Sequence, residues 1–506
     1  MDLSEILSPA QMRAIEAAAI ESRHVTGLEL MERAGKGAVA AIAAQWPGLG
    51  HSGGRALVLC GPGNNGGDGF VVARLLQERG WSVALHLLGT VEKLSPDARV
   101  NAKRWLARGG TIAPLDVDSL THAPDADMLV DALFGTGLAR ELGGPVATLA
   151  EGQAKDAPLV ARTVALDIPS GLCARTGRAL GAAFRAALTV AFHRAKTGHY
   201  LREAPQYCGN LAIVGIGLRA ECKAALRLTR PRLRHKAVLA HKYSHGHALV
   251  LAGHVGKAGA ARLAARGTLR IGAGLVTLCC PPAGLLENAA HLDAIMLRAL
   301  RNEVDLAEIL QDGRIAALCL GPGMGTAPRE AALVQAALDS AVPLVLDADA
   351  LSLLAADPAL RDRLHAGCVV TPHMGEFARL CPGLASELAS GGRTRIEIVQ
   401  DAARMLGCSV LLKGAATVIA SPSGELALNS ALYDRAAPWL ATAGAGDVLA
   451  GIITGLIAQG ASPFEAACSA AWLHVEAARQ IGPGLIAEDL AEQLPAILRR
   501  ASDPAP

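Results

Sequence analysis

Residues 442 to 452 read Thr-Ala-Gly-Ala-Gly-Asp-Val-Leu-Ala-Gly-Ile, a glycine turn running straight into an apolar helical pattern. Gly444 and Gly446 remove Cβ atoms where the backbone must come close to another group, and the free N–H groups of the first helical turn form an anion site. Asp447 stands among those donors. A helix N-terminus favours a negative group by about 0.3–1 kcal/mol, which is expected to keep Asp447 ionised and able to take a proton beside a bound phosphate. The chemistry implied is phosphate transfer involving a hydroxyl group. The competing reading is a plain helix cap whose glycines serve only a tight turn.

A second set of polar residues closes three strands of the first half. Arg55 to Cys60 reads as a strand, followed by the loop Gly61-Pro-Gly-Asn-Asn-Gly-Gly-Asp-Gly69, a helix from Phe70 to Arg79 and a strand from Ser82 to Leu88. This is a βαβ unit with its loop at the carboxyl end of the first strand, where open parallel sheets bind ligands. Gly61, Gly63 and Gly66 satisfy G-x-G-x-x-G, but Pro62 lacks a donor and the second strand ends in His86-Leu-Leu-Gly89 with no acid for a ribose. No Gly-Lys-Ser/Thr follows, which excludes a P-loop. The loop offers the amides of Asn64 and Asn65 and the carboxylate of Asp68. Met128-Leu-Val-Asp131 precedes Ala-Leu-Phe-Gly-Thr-Gly-Leu, and Thr163-Val-Ala-Leu-Asp167 precedes Ile-Pro-Ser-Gly-Leu. If these ends converge, Asn65, Asp131 and Ser170 supply hard oxygen ligands to a cation, and Asp167 faces a substrate as acid or base. Each residue alone reads equally well as a satisfied turn. Their joint occurrence at three strand ends favours a site.

The elements that position these groups follow from length and composition. At 506 residues the chain exceeds one core, and two large domains fit best. Hydrophobic residues make up 51% and aromatics only 3%, so the cores are built from Ala, Val, Leu and Ile in closely packed α/β layers. Helices are expected at 9 to 23 and 27 to 45. No apolar run is long enough to span a bilayer, and the opening Met-Asp-Leu-Ser-Glu lacks a secretory pattern, so a cytoplasmic location is expected. The 11 cysteines form no C-x2-4-C pair and read as buried small apolar residues, Cys279 and Cys280 included. A net charge of +2 gives no attraction to nucleic acid. The basic segment from Arg219 to Lys242, with Arg227, Arg230, Arg232 and Arg234, is expected as a solvated linker between domains spanning 1–222 and 233–506.

In the second half, strand and turn signals alternate. His247-Ala-Leu-Val-Leu-Ala leads to a small-residue helix from Lys257 to Ile271, with Gly259-Ala260-Ala able to bring a ligand close to backbone. Later strands end in Gly321-Pro-Gly-Met-Gly325, Asp347-Ala-Asp349, Pro372-His-Met-Gly-Glu376 and Lys413-Gly-Ala-Ala-Thr417. Lys413 is a point charge suited to a diphosphate, and Gly414 to Thr417 offer backbone and hydroxyl donors. His373 serves equally as a structural hydrogen-bonder, and Ser462-Pro-Phe-Glu465 starts a helix ending near Gly482. The motifs of the two halves share no period, which indicates two fused domains and no repeat.

Over residues 1 to 217 the three ordered motifs of the first half resemble the NAD(P)H-hydrate epimerase domain. The resemblance implies a Rossmann-like three-layer fold, K+ held by Asn65, Asp131 and Ser170, and Asp167 acting on a hydrated nicotinamide ring. Substrate contacts would come from Asn64, Asn65, Gly66, Gly67 and Asp68, and from Gly135, Thr136, Gly137, Leu138, Ala139, Arg140 and Glu141. Cys173-Ala-Arg-Thr-Gly177 departs from that family, where an acid commonly precedes Thr-Gly. Residues 235 to about 500, with His241-Lys-Tyr-Ser-His-Gly-His247 and the loops above, resemble the ADP-dependent NAD(P)H-hydrate dehydratase, a ribokinase-like α/β domain. There the resemblance implies that Ala260, Gly323, His373 and Asp447 face the hydrated nucleotide. It also implies that Lys413, Gly414, Ala415, Ala416, Thr417, Gly444, Ala445 and Gly446 hold ADP, with Mg2+. Asp434-Arg-Ala-Ala-Pro-Trp-Leu440 replaces that family's Asn-Pro-Gly-like turn.

The expected partners are hydrated NADH or NADPH and ADP, with no nucleic acid, no membrane and self-association as a homo-oligomer. Two rival readings stand beside this one. A kinase of a small alcohol uses the same Gly-Ala-Gly-Asp loop, and the first half can be a binding scaffold without catalysis.

Overall fold

The structure, a computed structural model, describes residues 4–49, 53–120, 126–218, 226–234, 236 and 239–502. The chain divides into two compact units, Met1–Leu226 and Arg227–Pro506.

In the first unit seven parallel strands lie in the order Ala113–Pro114, Ser82–Leu87, Arg55–Cys60, Met128–Ala132, Thr163–Leu166, Leu188–Phe192, Asn210–Val214. Alternate side chains go to opposite faces, and both faces are covered. Val58, Val130, Val164 and Val190 join Ala38, Phe70 and Ala73 in one core, while Leu57, Leu59 and Leu129 join Leu149, Ala150 and Phe184 in the other. The result is the three-layer α/β fold expected. Strand order reverses between Arg55–Cys60 and Met128–Ala132, the switch point that opens a crevice at strand carboxyl ends.

The helix after the first strand differs from expectation. It spans Asn64–Glu78 and takes in the Asn-Asn-Gly-Gly-Asp-Gly run expected as loop. Close packing explains why glycines are tolerated in helix here. A Cβ on Gly66 would lie 1.9 Å from the Gly61 carbonyl oxygen, and one on Gly69 2.7 Å from both Ala132 Cβ and Cys60 Sγ. The glycines let this helix lie directly on the strands, at the cost of backbone entropy.

The second unit repeats the layered logic. Parallel strands run Met296–Ala299, Leu275–Cys280, His247–Leu251, Ile315–Leu320, Leu344–Leu346, Cys368–Val370, Ser409–Leu412, followed by the antiparallel Ala416–Ala420 and Leu426–Ser430. The order again reverses beside the first strand, between His247–Leu251 and Ile315–Leu320. Helix Ala445–Ala458 is buried along nearly its whole length. It packs on helix Gly259–Arg270 through small residues: a Cβ on Gly451 would meet the Ala264 carbonyl at 2.0 Å, and Thr268 Oγ1 donates to the Gly451 carbonyl at 2.9 Å. Glycine and alanine thus replace aromatic anchors by letting backbones touch.

Of the segment expected as linker, residues 219–225, 235, 237 and 238 lie outside the described residues. The described part is not free. Arg227 and Leu228 pair with Ala427 and Leu428, Thr229 Oγ1 donates to Asn429 Oδ1 at 2.8 Å, and Arg232 meets Glu465 at 2.5 Å. Ladder bonds and buried Thr229 attach these residues to the second unit in place of solvation. Among the described residues no helix is long and apolar enough to cross a membrane. The described cysteines are all free thiols, most of them buried.

Candidate functional site

The first site occupies the carboxyl ends of the first unit's strands, around a cavity of about 660 Å3. Asn64, Asn65, Asp68, Gly135 to Arg140, Asp167 and Lys196 line it, with Met12, Glu16 and Met31 from the preceding helices. Three expected contacts do not line it. Gly66 is pressed on Gly61, Gly67 faces Met31 and Ala98, and Glu141 lies over Gly181. These glycines serve helix packing, and Glu141 is exposed.

Asp131 and Ser170 are brought together. Ser170 Oγ donates to Asp131 Oδ1 at 2.6 Å, and Ser170 N and Leu133 N donate to the same carboxylate. Burial pushes the Asp131 carboxyl up to about 6 against those bonds. Ser170 Oγ also accepts from Phe134 N at 2.9 Å. Asn65 reaches the same segment, its Oδ1 lying 3.3 Å from where a Gly135 Cβ would stand. Its buried Nδ2 has no partner. Amide nitrogen and oxygen are interchangeable in assignment, so the orphaned position equally presents an oxygen. One carboxylate, one hydroxyl and one unpartnered amide form a donor set suited to a hard, singly charged cation. Among the described residues there is no cluster of three His, Cys, Asp or Glu able to hold a metal ion.

Asp167 sits just past its strand with φ +66°, a left-handed conformation rare outside glycine. Thr136 N donates to its Oδ2 at 2.8 Å and Lys196 Nζ to its Oδ1 at 2.7 Å. Burial pushes this carboxyl up, but the Lys196 ammonium and the Thr136 bond outweigh it and hold the carboxyl below the usual range. The ordered motifs did not reveal Lys196 and His199. The signal was a fourth strand, Leu188–Phe192, ending in His193-Arg-Ala-Lys on the same side of the sheet. Asp68 lies half-buried in the same cavity, and desolvation, then the charge of Asp167, raise it well above an ordinary aspartate.

The second site is organised around Asp447 in the first turn of its helix. Gly444 caps that helix at φ +87°, where a Cβ would also meet Leu263 and Ala487 at 2.8 and 2.9 Å. His474 Nε2 lies 2.9 Å from the Ala445 carbonyl and pins the loop from behind. Lys413 Nζ bonds Asp347 Oδ1 at 2.7 Å and stands 3.4 Å from the position of a Gly446 Cβ, so Lys413 does face the Gly444 to Gly446 turn. Thr417 does not offer its hydroxyl outward. It donates to the Gly414 carbonyl at 2.8 Å and accepts from Gly414 N at 3.2 Å, closing the turn, while the Ala415 carbonyl accepts from Ala431 N. Ala416 and Thr417 already belong to the next strand.

Ala260 and Gly323 converge, since a Cβ on Gly323 would lie 3.3 Å from Ala260 Cβ. His373 caps helix Met374–Leu380: Nδ1 accepts from Gly375 N at 2.9 Å, and Glu376 bonds back to His373 N at 2.8 Å. Its other nitrogen is left 3.6 Å from Glu376 Oε1. Asp447 itself departs from expectation. Burial, then the charges of Asp347, Asp349 and Glu376, raise its carboxyl to about 6 against the opposing pull of Lys413.

A second cavity of about 660 Å3 in this unit is lined by Arg266, Arg270, His291, Leu456 and Leu498, among others. None of the Asp447 cluster lines it.

The family described as NAD(P)H-hydrate dehydratase matches residues 248–499, and the YjeF-related protein N-terminus matches residues 27–198. The chain is 36% identical over 541 residues to the bifunctional NAD(P)H-hydrate repair enzyme Nnr of Moorella thermoacetica, covering 98% of this chain and 97% of that one. The chain belongs to the bifunctional NAD(P)H-hydrate repair enzyme family. The Nnr enzyme of Escherichia coli is 34% identical over 496 residues, with 94% and 91% covered. A solved ADP/ATP-dependent NAD(P)H-hydrate dehydratase from Bacillus subtilis, co-crystallised with ATP and Mg2+, is 28% identical and covers 54% of this chain and 95% of that one, with a TM-score of 0.45. Family membership joins the two sites in one repair enzyme.

Proposed function

We propose that this chain returns hydrated NADH and NADPH to use: the first unit interconverts the R and S hydrates, and the second dehydrates the S form at the expense of ADP, giving AMP and phosphate. The observation that carries the reading is that two strand-end sites, one around Asp167 and one around Asp447, occur on a chain similar over nearly its whole length to bifunctional repair enzymes.

In the first unit Asp167 is the base, held ionised by Lys196 and oriented by Thr136 N. Asn64, Asn65, Asp68 and Gly135 to Arg140 hold the hydrate. Asn65, Asp131 and Ser170 would hold K+, which supplies fixed positive charge beside the strand ends when bound. In the second unit Asp447 takes the proton of the substrate hydroxyl, and the amides of Gly444 to Gly446 meet the transferring phosphoryl group. Hydroxide leaves poorly and phosphate leaves well, which is what coupling to ADP achieves. Lys413, Gly414 and Ala415 hold the diphosphate, Ala260, Gly323 and His373 the hydrate. Mg2+ would arrive with the nucleotide, which fits a unit where Lys413 already occupies Asp347. Free buried thiols fit a reducing, cytoplasmic compartment. A homo-oligomeric state belongs to the same reading and is measured by light scattering.

The test is to supply the pure R hydrate. Without ADP an R and S mixture should form. With ADP all of it should become NADH. Failure to touch the R form would remove the epimerase half of the reading.

A further inference from the structure

We propose that Lys196 is a positioning residue of the epimerase site, fixing the carboxylate of Asp167 in the one orientation from which it reaches the hydrate; this rests on the reading of Asp167 as the base. Lys196 is buried to 1% exposure yet lines the cavity. Its burial has a clear structural source: Ala195–Lys196 forms a short strand paired in parallel with Ile6–Leu7, which are buried with it. A lysine enclosed in this way is costly unless its ammonium is paired.

The pairing is directed at Asp167. Lys196 Nζ donates to Asp167 Oδ1 at 2.7 Å and to the Phe192 carbonyl at 3.0 Å. Among the described residues no acceptor takes the third N–H, which leaves it for the cavity. The backbone of the same segment holds Asp167 from a second direction. Lys196 N donates to His199 Nδ1 at 2.9 Å, so the proton sits on His199 Nε2, which donates to the Asp167 carbonyl at 2.9 Å. With Thr136 N on Oδ2, both carboxylate oxygens and the carbonyl of a residue at φ +66° are fixed by one cradle. A strained residue held this firmly is over-determined by its surroundings, which is how functional geometry is stored. Glu16, Asp68 and Arg13 also border this cavity. None of them makes such a contact with Asp167 among the described residues.

The experiment uses the full chain and compares Lys196→Met, Lys196→Arg, Asp167→Asn and Asp167→Asn/Lys196→Met. Epimer exchange is followed as kcat and KM, and ADP-dependent dehydration of the S hydrate in the same preparation reports that the chain is folded. Lys196→Met should lower kcat for exchange by about 10²-fold, the low end for a misplaced acid or base, with KM within about threefold. Lys196→Arg, which keeps the charge, should recover about tenfold of that loss. Because Lys196 acts through Asp167, the double variant should be no slower than Asp167→Asn alone. The double variant also removes the unpaired carboxylate, so it reports even if Lys196→Met folds poorly. A slow Asp167→Asn beside a Lys196→Met of normal rate, or multiplicative losses in the double variant, would overturn the role of Lys196. A normal rate in Asp167→Asn would overturn the base reading beneath it.

Discussion

Lys413 Nζ stands 2.7 Å from Asp347 Oδ1, the same separation as Lys196 Nζ from Asp167 Oδ1, but the two lysines serve the proposed bases oppositely. In the first unit the lysine is bound to the base itself and holds it ionised. In the second it is bound to a neighbouring carboxylate, and partial burial, then the negative charge of Asp347, raises the Asp447 carboxyl to about 6. One site keeps a permanent carboxylate; the other keeps one that titrates near working pH.

That contrast predicts different pH dependence for the two activities on one chain. As pH falls from 8 through about 6, dehydration should decline as Asp447 takes a proton. Epimer exchange, assayed at high K+ so that Asp131, raised to about 6 by burial, stays charged, should continue, because Asp167 is held below the usual carboxylate range. Initial rates of both reactions from pH 5 to 8 decide it, and coincident profiles would contradict the assignment.

Asp447→Asn should abolish dehydration and still raise stability at neutral pH. A carboxyl raised in the folded state favours folding only when protonated; that contribution is complete below the unfolded value and lost as pH rises through about 6. Above this the half-buried charge is a burden that asparagine lacks. Melting of the unliganded variant should therefore exceed wild type at pH 7.5 and approach it at pH 4.5. A lowered midpoint with near-normal turnover would make Asp447 a structural cap.

The contrast also marks what could be read from the chain and what could not. Asp131 and Asp167 were legible because each closes an apolar strand in a parallel sheet, Ser170 because it follows Asp167 in the same turn, and Gly444 because a left-handed cap needs glycine. The helix start at Asn64 was not, since glycine runs ordinarily signal loops; only the approach of Gly66 to the Gly61 carbonyl explains them. Lys196 was hidden because a lysine at a strand end ordinarily lies in water, and it is Ile6 and Leu7, remote in sequence, that enclose it. The raised carboxyl of Asp447 could not be read from its own helix, because it comes first from burial and then from Asp347, Asp349 and Glu376, which arrive from other strand ends.

Gly135→Ala should block epimer exchange selectively. Its methyl would lie 2.7 Å from Asp167 Oδ2 and 3.3 Å from Asn65 Oδ1, displacing both. Exchange should fall by about 10²-fold or more, a scale set by misplacing a catalytic group, with dehydration unchanged. Parallel assays on one preparation check this.

Lys413→Met should both weaken ADP binding and destabilise the second unit. Removing one partner of a buried pair costs on the order of 3–5 kcal/mol, and the lower end applies because the lysine side chain is 21% exposed while Asp347 is 2% exposed. Adding Asp347→Asn should restore much of the melting temperature without restoring ADP affinity. Recovery of both would reduce Lys413 to a structural role.

The most direct measurement is product analysis of an equilibrated mixture of hydrated NADH epimers with and without ADP. With ADP, the account predicts that both epimers disappear and that NADH, AMP and phosphate appear in equal amounts; without ADP, the epimers persist and no NADH forms. A stable phosphorylated product, or consumption of one epimer alone, would contradict it.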